Sequence, residues 1–213
     1  MNRITYIDPI NTALLLIEYQ REWLSSSGKL NSLCEDRTQL ERAVVGGREA
    51  LHTCRGQRIQ VIHSGLQFTP GHPELGKSDL GLREAIPRVG TFVGRHSDFE
   101  EGFEPAAGDL VVKGRLGASA FAGSNLDALL RNRRIDTLLI AGFALHVCVE
   151  STLRQAHDLG YRAIVLEDAC AAFTRSQREH VLQHVVHHFG ASVSNARLAD
   201  VLARASSSNG VAV

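Results

Sequence analysis

No apolar run in this 213-residue chain approaches the roughly 18 residues that a membrane-spanning helix needs. Neither sign of charge prevails, because 23 basic side chains stand against 23 acidic ones. That balance argues against nucleic acid or an anionic membrane surface as a partner, since both demand clustered Lys and Arg to displace counterions. Cysteine is sparse: Cys34, Cys54, Cys148 and Cys170 form no CxxC pair and no zinc spacing. A four-thiolate structural zinc site is thereby excluded, and free thiols in a reducing cytosol are expected. The first twenty residues contain Arg3, Asp8 and Glu18 and lack an apolar h-region, so no secretory signal is read and a cytoplasmic protein is expected. GxGxxG, Walker, GxSxG and HExxH patterns are missing as well, which leaves dinucleotide, nucleoside triphosphate and zinc-protease chemistry unsupported. A small-molecule partner remains.

What is present describes one soluble domain. The chain is 44% hydrophobic and 22% charged, and a chain of this length buries roughly 70% of its unfolded surface without a disulfide or metal staple. The expectation is a single domain over residues 1–205 with a frayed tail at 206–213. TALLLI (12–17) is almost continuously apolar, as a strand covered on both faces should be. Helical spacing follows at 35–55, where Leu40, Val44, Leu51 and Cys54 recur on one face and Gly56 suits a left-handed cap. Strand signals return at 58–63, 109–112, 136–141 and 162–167, with a weaker one from Ala191. Helical patterns occupy 124–133, 146–159, 176–188 and 196–203. Repeated strand-then-helix order means parallel strands with right-handed crossovers. The fold class is therefore α/β, a three-layer αβα sandwich around a mostly parallel, Rossmann-like, six-stranded sheet. Residues 66–108 break the rhythm, since they hold four of the five prolines. They read as a long excursion of the kind that forms lids or partner contacts.

Ligands in an open parallel sheet bind beyond the carboxyl ends of the strands. The residues standing just past the apolar runs are Glu18, His63, Lys113 and, through the Gly142 turn, Cys148. Cys148 falls in the first turn of a predicted helix, where unpaired N–H groups and the dipole favour a thiolate and can hold an oxyanion. Taken singly, a free cysteine is more often a small buried apolar residue, Glu18 a strand end meeting solvent, and Lys113 its neutraliser. Taken together, Glu18 and Lys113 suggest a proton-transfer pair serving a thiol nucleophile. His63 is the rival base. His180, His184, His187 and His188 share one helix side, read as a polar face or subunit contact. Cys170 reads as packing.

The stretch VVKGRLGASAFAGSNLDALLRNRRIDTLLIAGFALHVCVESTLRQAHDLGYRAIVLEDACAAF, taken with the acid at Glu18, resembles the isochorismatase-like cysteine hydrolases, over residues 12–188. This family includes nicotinamidases, N-carbamoylsarcosine amidase and ureidoacrylate hydrolase. The resemblance implies a catalytic triad of Glu18, Lys113 and Cys148, an oxyanion hole from the backbone of Ala144 and Cys148, and a cis Phe143–Ala144 peptide. Trp23, His63, Phe68 and Phe143 become candidate pocket residues. The chain departs from the family pattern at Glu18, where Asp is usual, and at Leu145 and His146 ahead of the cysteine. HSGLQF replaces the metal-binding Asp-x-His of nicotinamidases, so no metal and no cofactor are carried over.

The activity implied is cysteine-dependent hydrolysis of a small amide, carbamoyl or ureido compound through a thioester, with a homo-oligomer, dimer or tetramer, as the assembly. Two other readings stand beside it. One is a vinyl-ether hydrolase of the isochorismatase type with Glu18 as acid, and the other is a catalytically degenerate binding or scaffold protein.

Overall fold

The computed structural model describes residues 4–208. TALLLI forms β1 (Thr12–Ile17), and all six residues are buried. Parallel neighbours occupy both of its edges and helices cover both faces, so the run has no polar side to present. The chain continues through α1 (Arg21–Leu24), α2 (Arg37–Gly56), β2 (Gln60–Ser64), α3 (Gly81–Val89) and β3 (Leu110–Val111). Then come α4 (Leu126–Asn132), β4 (Thr137–Phe143), α5 (Glu150–Asp158), β5 (Arg162–Ala171), α6 (Arg175–His180), α7 (Val186–Phe189), β6 (Ala191–Val193) and α8 (Asn195–Ser208). The sheet is six-stranded in the order β3-β2-β1-β4-β5-β6 and all its pairings are parallel, as the sequence pattern anticipates.

Alternation along β1 splits the core in two. Leu14 and Leu16 pack with Leu40, Leu51 and Cys54 of α2 and Leu198 of α8. Leu15 and Ile17 pack with Leu126 and Leu130 of α4 and Leu153 of α5. These clusters are the outer layers of the αβα sandwich. β1 and β4 lie side by side, and the strand order departs from each of them in opposite directions. The crevice beyond their carboxyl ends is the topological switch point at which such sheets bind ligands.

Several boundaries differ from the sequence expectation. Asp36 caps α2 by accepting from the Gln39 N–H at 3.1 Å, and the left-handed residue past that helix is Arg58, at φ 58°, not Gly56. β5 runs on to Ala171, so Cys170 lies inside a strand, where its Sγ faces the Ile140 carbonyl at 3.8 Å. The helix expected from 146 begins instead as a π-helical turn, Leu145–Val149, that leads into α5. A second π-helical turn, Val181–Val185, joins α6 to α7. The excursion at 66–108 folds into short helical pieces, among them α3. Of the tail expected at 206–213, residues 206–208 belong to α8, and 209 onward lie outside the described residues.

Candidate active site

Glu18 follows β1 with a left-handed backbone, φ 56°, a region uncommon for any residue but glycine and one that marks local strain. Its N–H donates to the Ser64 carbonyl at 2.9 Å, which ties the turn to the end of β2. The side chain is 1% exposed, so its carboxylate needs partners. Arg115 Nη2 donates to Oε1 at 2.6 Å, and Trp23 Nε1 donates to Oε2 at 2.8 Å. The Arg115 guanidinium is itself buried and donates also to the carbonyls of Ser64 at 3.2 Å, Gly117 at 3.1 Å and Ala118 at 2.6 Å. Five N–H donors in a rigid fork are what such a convergence of oxygens requires.

Lys113 does not join this group. Just past β3, Val112 is buried in the core, whereas the Lys113 side chain is exposed. Its contribution is backbone, an N–H donating to Asn125 Oδ1 at 2.8 Å. Gly114, at φ 80°, then reverses the chain, and the next residue enters the site. The cation on Glu18 is thus Arg115 and not the expected Lys113. The signal in the sequence was the Gly-Arg step itself, because a glycine just past a strand can redirect the side chain that follows.

Cys148 sits in the π-helical turn after β4, 5% exposed, and lines the same cavity as Glu18. Burial pushes the thiol well above its ordinary pKa; the Glu18 carboxylate adds to the rise and Arg115 offsets part of it. The helix-start position expected to favour a thiolate is thus outweighed by burial. The Phe143–Ala144 peptide is cis.

A cavity of about 690 Å³ opens over these groups, lined on one side by Glu18, Trp23, Ala144 and Cys148. The opposite side comes from the 66–108 excursion, including Leu75, Ile86 and Phe92. Glu22 holds the excursion in place: one oxygen accepts from the Phe92 N–H at 2.8 Å and the other from the Lys29 N–H at 2.7 Å.

Among the candidate pocket residues, Trp23 lines the cavity, whereas His63, Phe68 and Phe143 do not. Phe143 is buried beneath the site against Tyr19 and Trp23. Phe68 is buried beside His72. His63 turns to the β3 edge, where Nε2 meets Asp109 Oδ2 at 3.1 Å, so it is not placed to serve as base for Cys148. In a strand, successive side chains point to opposite faces, and a residue at a strand end reaches the crevice only in one phase. Among the described residues, no group of three or more His, Cys, Asp or Glu is arranged to hold a metal ion.

A family model for the isochorismatase domain matches residues 12–197. The chain belongs to the isochorismatase family. Within that family it is similar to the ureidoacrylate amidohydrolase RutB of Caulobacter segnis, 33% identical over 179 residues, which span 76% of this chain and 73% of that protein. The ureidoacrylate amidohydrolase RutB of Stutzerimonas stutzeri is also 33% identical, over 74% and 68% of the two chains. A solved isochorismatase family protein from Desulfovibrio vulgaris superposes with a TM-score of 0.76 at 25% identity, covering 91% of this chain and 99% of that one. N-carbamoylsarcosine amidase from Thermoplasma acidophilum shares the fold, with a TM-score of 0.66 at 24% identity over 87% and 96%. The isochorismatase fold thus extends over nearly the whole described chain, and the switch-point crevice is where this member gathers Glu18, Arg115 and Cys148.

Proposed function

We propose that the protein is a metal-independent amidohydrolase that cleaves an amide or ureide through a thioester on Cys148. The observation that carries this reading is that Cys148 and Glu18, both buried, line the same cavity, which is large enough for a substrate. A thiol whose pKa is raised is a weak nucleophile until a base takes its proton, and Glu18 is the base within reach.

In the first half-reaction Cys148 Sγ bonds to the substrate carbonyl carbon as its proton passes to Glu18. The carbonyl π pair moves onto oxygen, beside the N–H groups of Ala144 and Cys148, both of which stand on the cavity wall. N–H groups at the start of a helical segment lack carbonyl partners within it and are suited to such an oxyanion. Collapse of the tetrahedral adduct breaks the C–N bond, and Glu18 returns the proton to the departing amine. In the second half, Glu18 takes a proton from water, hydroxide adds to the thioester carbonyl, and the C–S bond breaks. The acid leaves and the thiol regains its proton. Arg115 and Trp23 do no proton transfer here; they hold the two carboxylate oxygens so that the Glu18 proton site faces sulfur, and orientation of this kind is worth orders of magnitude in rate. Names among the relatives, ureidoacrylate amidohydrolase in particular, support the C–N bond as the one broken.

Ammonia release from a panel of primary amides and ureides tests the reading. Cys148→Ser is expected to lower kcat by about a thousandfold or more, and Glu18→Gln to do likewise. An acyl adduct on Cys148 should appear by mass spectrometry after acid quench. Unchanged turnover in Cys148→Ser would overturn the mechanism.

A further inference from the structure

The cavity is far more apolar than recognition of a small charged ureide requires. Its walls beyond the reacting groups are hydrocarbon, with Leu66, Leu75, Ile86, Phe92, Leu116 and Phe173 among them. Polar side chains are few. Glu18 already accepts from Arg115 and Trp23. Among the described residues, Thr91 is the one hydroxyl-bearing residue lining the cavity. The basic residues lining it, Arg83 and Arg88, are exposed and stand on the outer wall; Arg88 Nε is paired with Glu84 at 2.6 Å, and Arg83 Nη1 donates to the Leu75 carbonyl at 3.5 Å.

A substrate with a carboxylate close to its scissile carbonyl would have to bury that charge against Glu18 or against hydrocarbon. Neither offers a counter-ion, the Arg115 guanidinium is already taken by Glu18 and three backbone carbonyls, and an unpaired buried charge is strongly unfavourable. The apolar lining also continues outward: Leu80, 76% exposed, Leu82 and Val89 line the same cavity and lie open to solvent. A cavity of about 690 Å³ is of the size that accommodates a ligand much larger than acetamide.

We propose that this site selects neutral amides or ureides that carry an extended hydrocarbon group, and discriminates against short substrates with a carboxylate. The inference rests on the amidohydrolase reading above, because it takes Cys148 and Glu18 as the reacting end of the cavity. The hydrocarbon group lies along the wall that the excursion supplies, and the amide carbonyl meets Cys148.

The experiment is kcat/KM for the wild-type protein on two homologous series. One is the primary amides from acetamide to octanamide, and the other is the N-alkylureas of the same lengths. ω-Carboxylated amides of matched length and ureidoacrylate complete the panel, and acyl or carbamoyl adducts on Cys148 are followed by mass spectrometry. In at least one series kcat/KM is expected to rise about fourfold per methylene, the ratio that corresponds to ~0.8 kcal/mol for one buried CH₂. Acetamide and hexanamide would then differ by about two orders of magnitude, and the short ω-carboxylated compounds would fall below their neutral counterparts. Turnover that is flat with length in both series, or that favours ureidoacrylate or the short ω-carboxylated amides, would overturn this inference and leave the hydrolase reading in place. No turnover and no Cys148 adduct with any compound would overturn the hydrolase reading, and this inference with it.

Discussion

Glu18 and Arg115 act on the Cys148 thiol in opposite directions, and that opposition can be measured at a single atom. Burial is the largest cause of the raised thiol pKa, Glu18 adds to it and Arg115 reduces it. Alkylation by iodoacetamide needs the thiolate, so the wild-type thiol should react slowly at pH 7 and accelerate only above its ordinary pKa range. Glu18→Gln removes the repelling charge and leaves Arg115, so the thiol pKa falls. Alkylation at pH 8 is then expected to speed up, while amide turnover is lost. Arg115→Leu should slow alkylation further. It should also destabilise the fold by about 3–5 kcal/mol, the usual result of leaving a buried carboxylate without its cation. Faster turnover together with faster alkylation in Glu18→Gln would show that Glu18 is not the base. Sequence reading reached Glu18 and Cys148 through their position past apolar runs. It missed Arg115, because the exposure of Lys113 and the reversal at Gly114 depend on where β3 ends.

At the scale of elements, two features hold the site open and in register. Ile17 of β1 pairs with Gly142 of β4, directly below Glu18. Gly142 has φ 145°, and a Cβ there would collide with the Ile17 carbonyl oxygen. Only glycine allows the two strand ends to approach this closely. The second feature is Glu22 of α1, fully buried, which joins Lys29 to Phe92 and so fastens the excursion over the cavity. Glu22→Gln puts an amide N–H₂ where one of these backbone N–H donors needs an acceptor, at a cost of about 1–3 kcal/mol. The expected result is a lower urea midpoint and a KM that rises more than kcat falls, because the wall moves while Cys148 does not. A fall in kcat alone would place the role of Glu22 in the chemistry instead. The composition of residues 66–108 marked them as an excursion. That a carboxylate near the first strand would clamp them could not be read, since the partners are backbone N–H groups with no sequence signature.

For the molecule as a whole, His63, Asp109 and Arg55 tie α2 to the β2–β3 edge, with Asp109 Oδ2 at 2.6 Å from Arg55 Nη2 and 3.1 Å from His63 Nε2. Burial lowers the His63 pKa, and its bond to Asp109 recovers part of the fall. Burial opposes the Asp109 carboxylate, but hydrogen bonds from Arg55, Ala106 and His63 outweigh it, so its pKa is lowered. Both folded pKa values lie below the unfolded ones, so the unfolded chain binds more protons as acid is added. The His63 contribution is complete above about pH 6.5 and is lost as pH falls through the lowered folded pKa. The Asp109 contribution is lost at still lower pH, below the ordinary aspartate range. Stability by urea titration is expected to decline from pH 7 to pH 5 with a slope of up to about 1.4 kcal/mol per pH unit for one proton. His63→Phe should flatten that decline, and an equal slope in the variant would remove His63 from the account.

The continuous apolar run of TALLLI and the alternation of strand and helix signals are properties of local composition, and they were enough to determine a parallel α/β sheet and the edge on which chemistry would stand. The same signals placed Glu18 and Cys148 at the carboxyl edge of the sheet, because each stands just past an apolar run; that their strands are neighbours was decided by the topology. Tertiary structure decided the rest. Which cation meets Glu18 depends on the direction the chain takes after β3. Whether Cys148 is a thiol or a thiolate depends on its burial, to which residues far apart in sequence contribute. The apolar character of the cavity exists only once the 66–108 excursion closes over the crevice. In each case the physical cause is the same: desolvation and side-chain direction are set by neighbours in space, and the linear order of residues does not contain them.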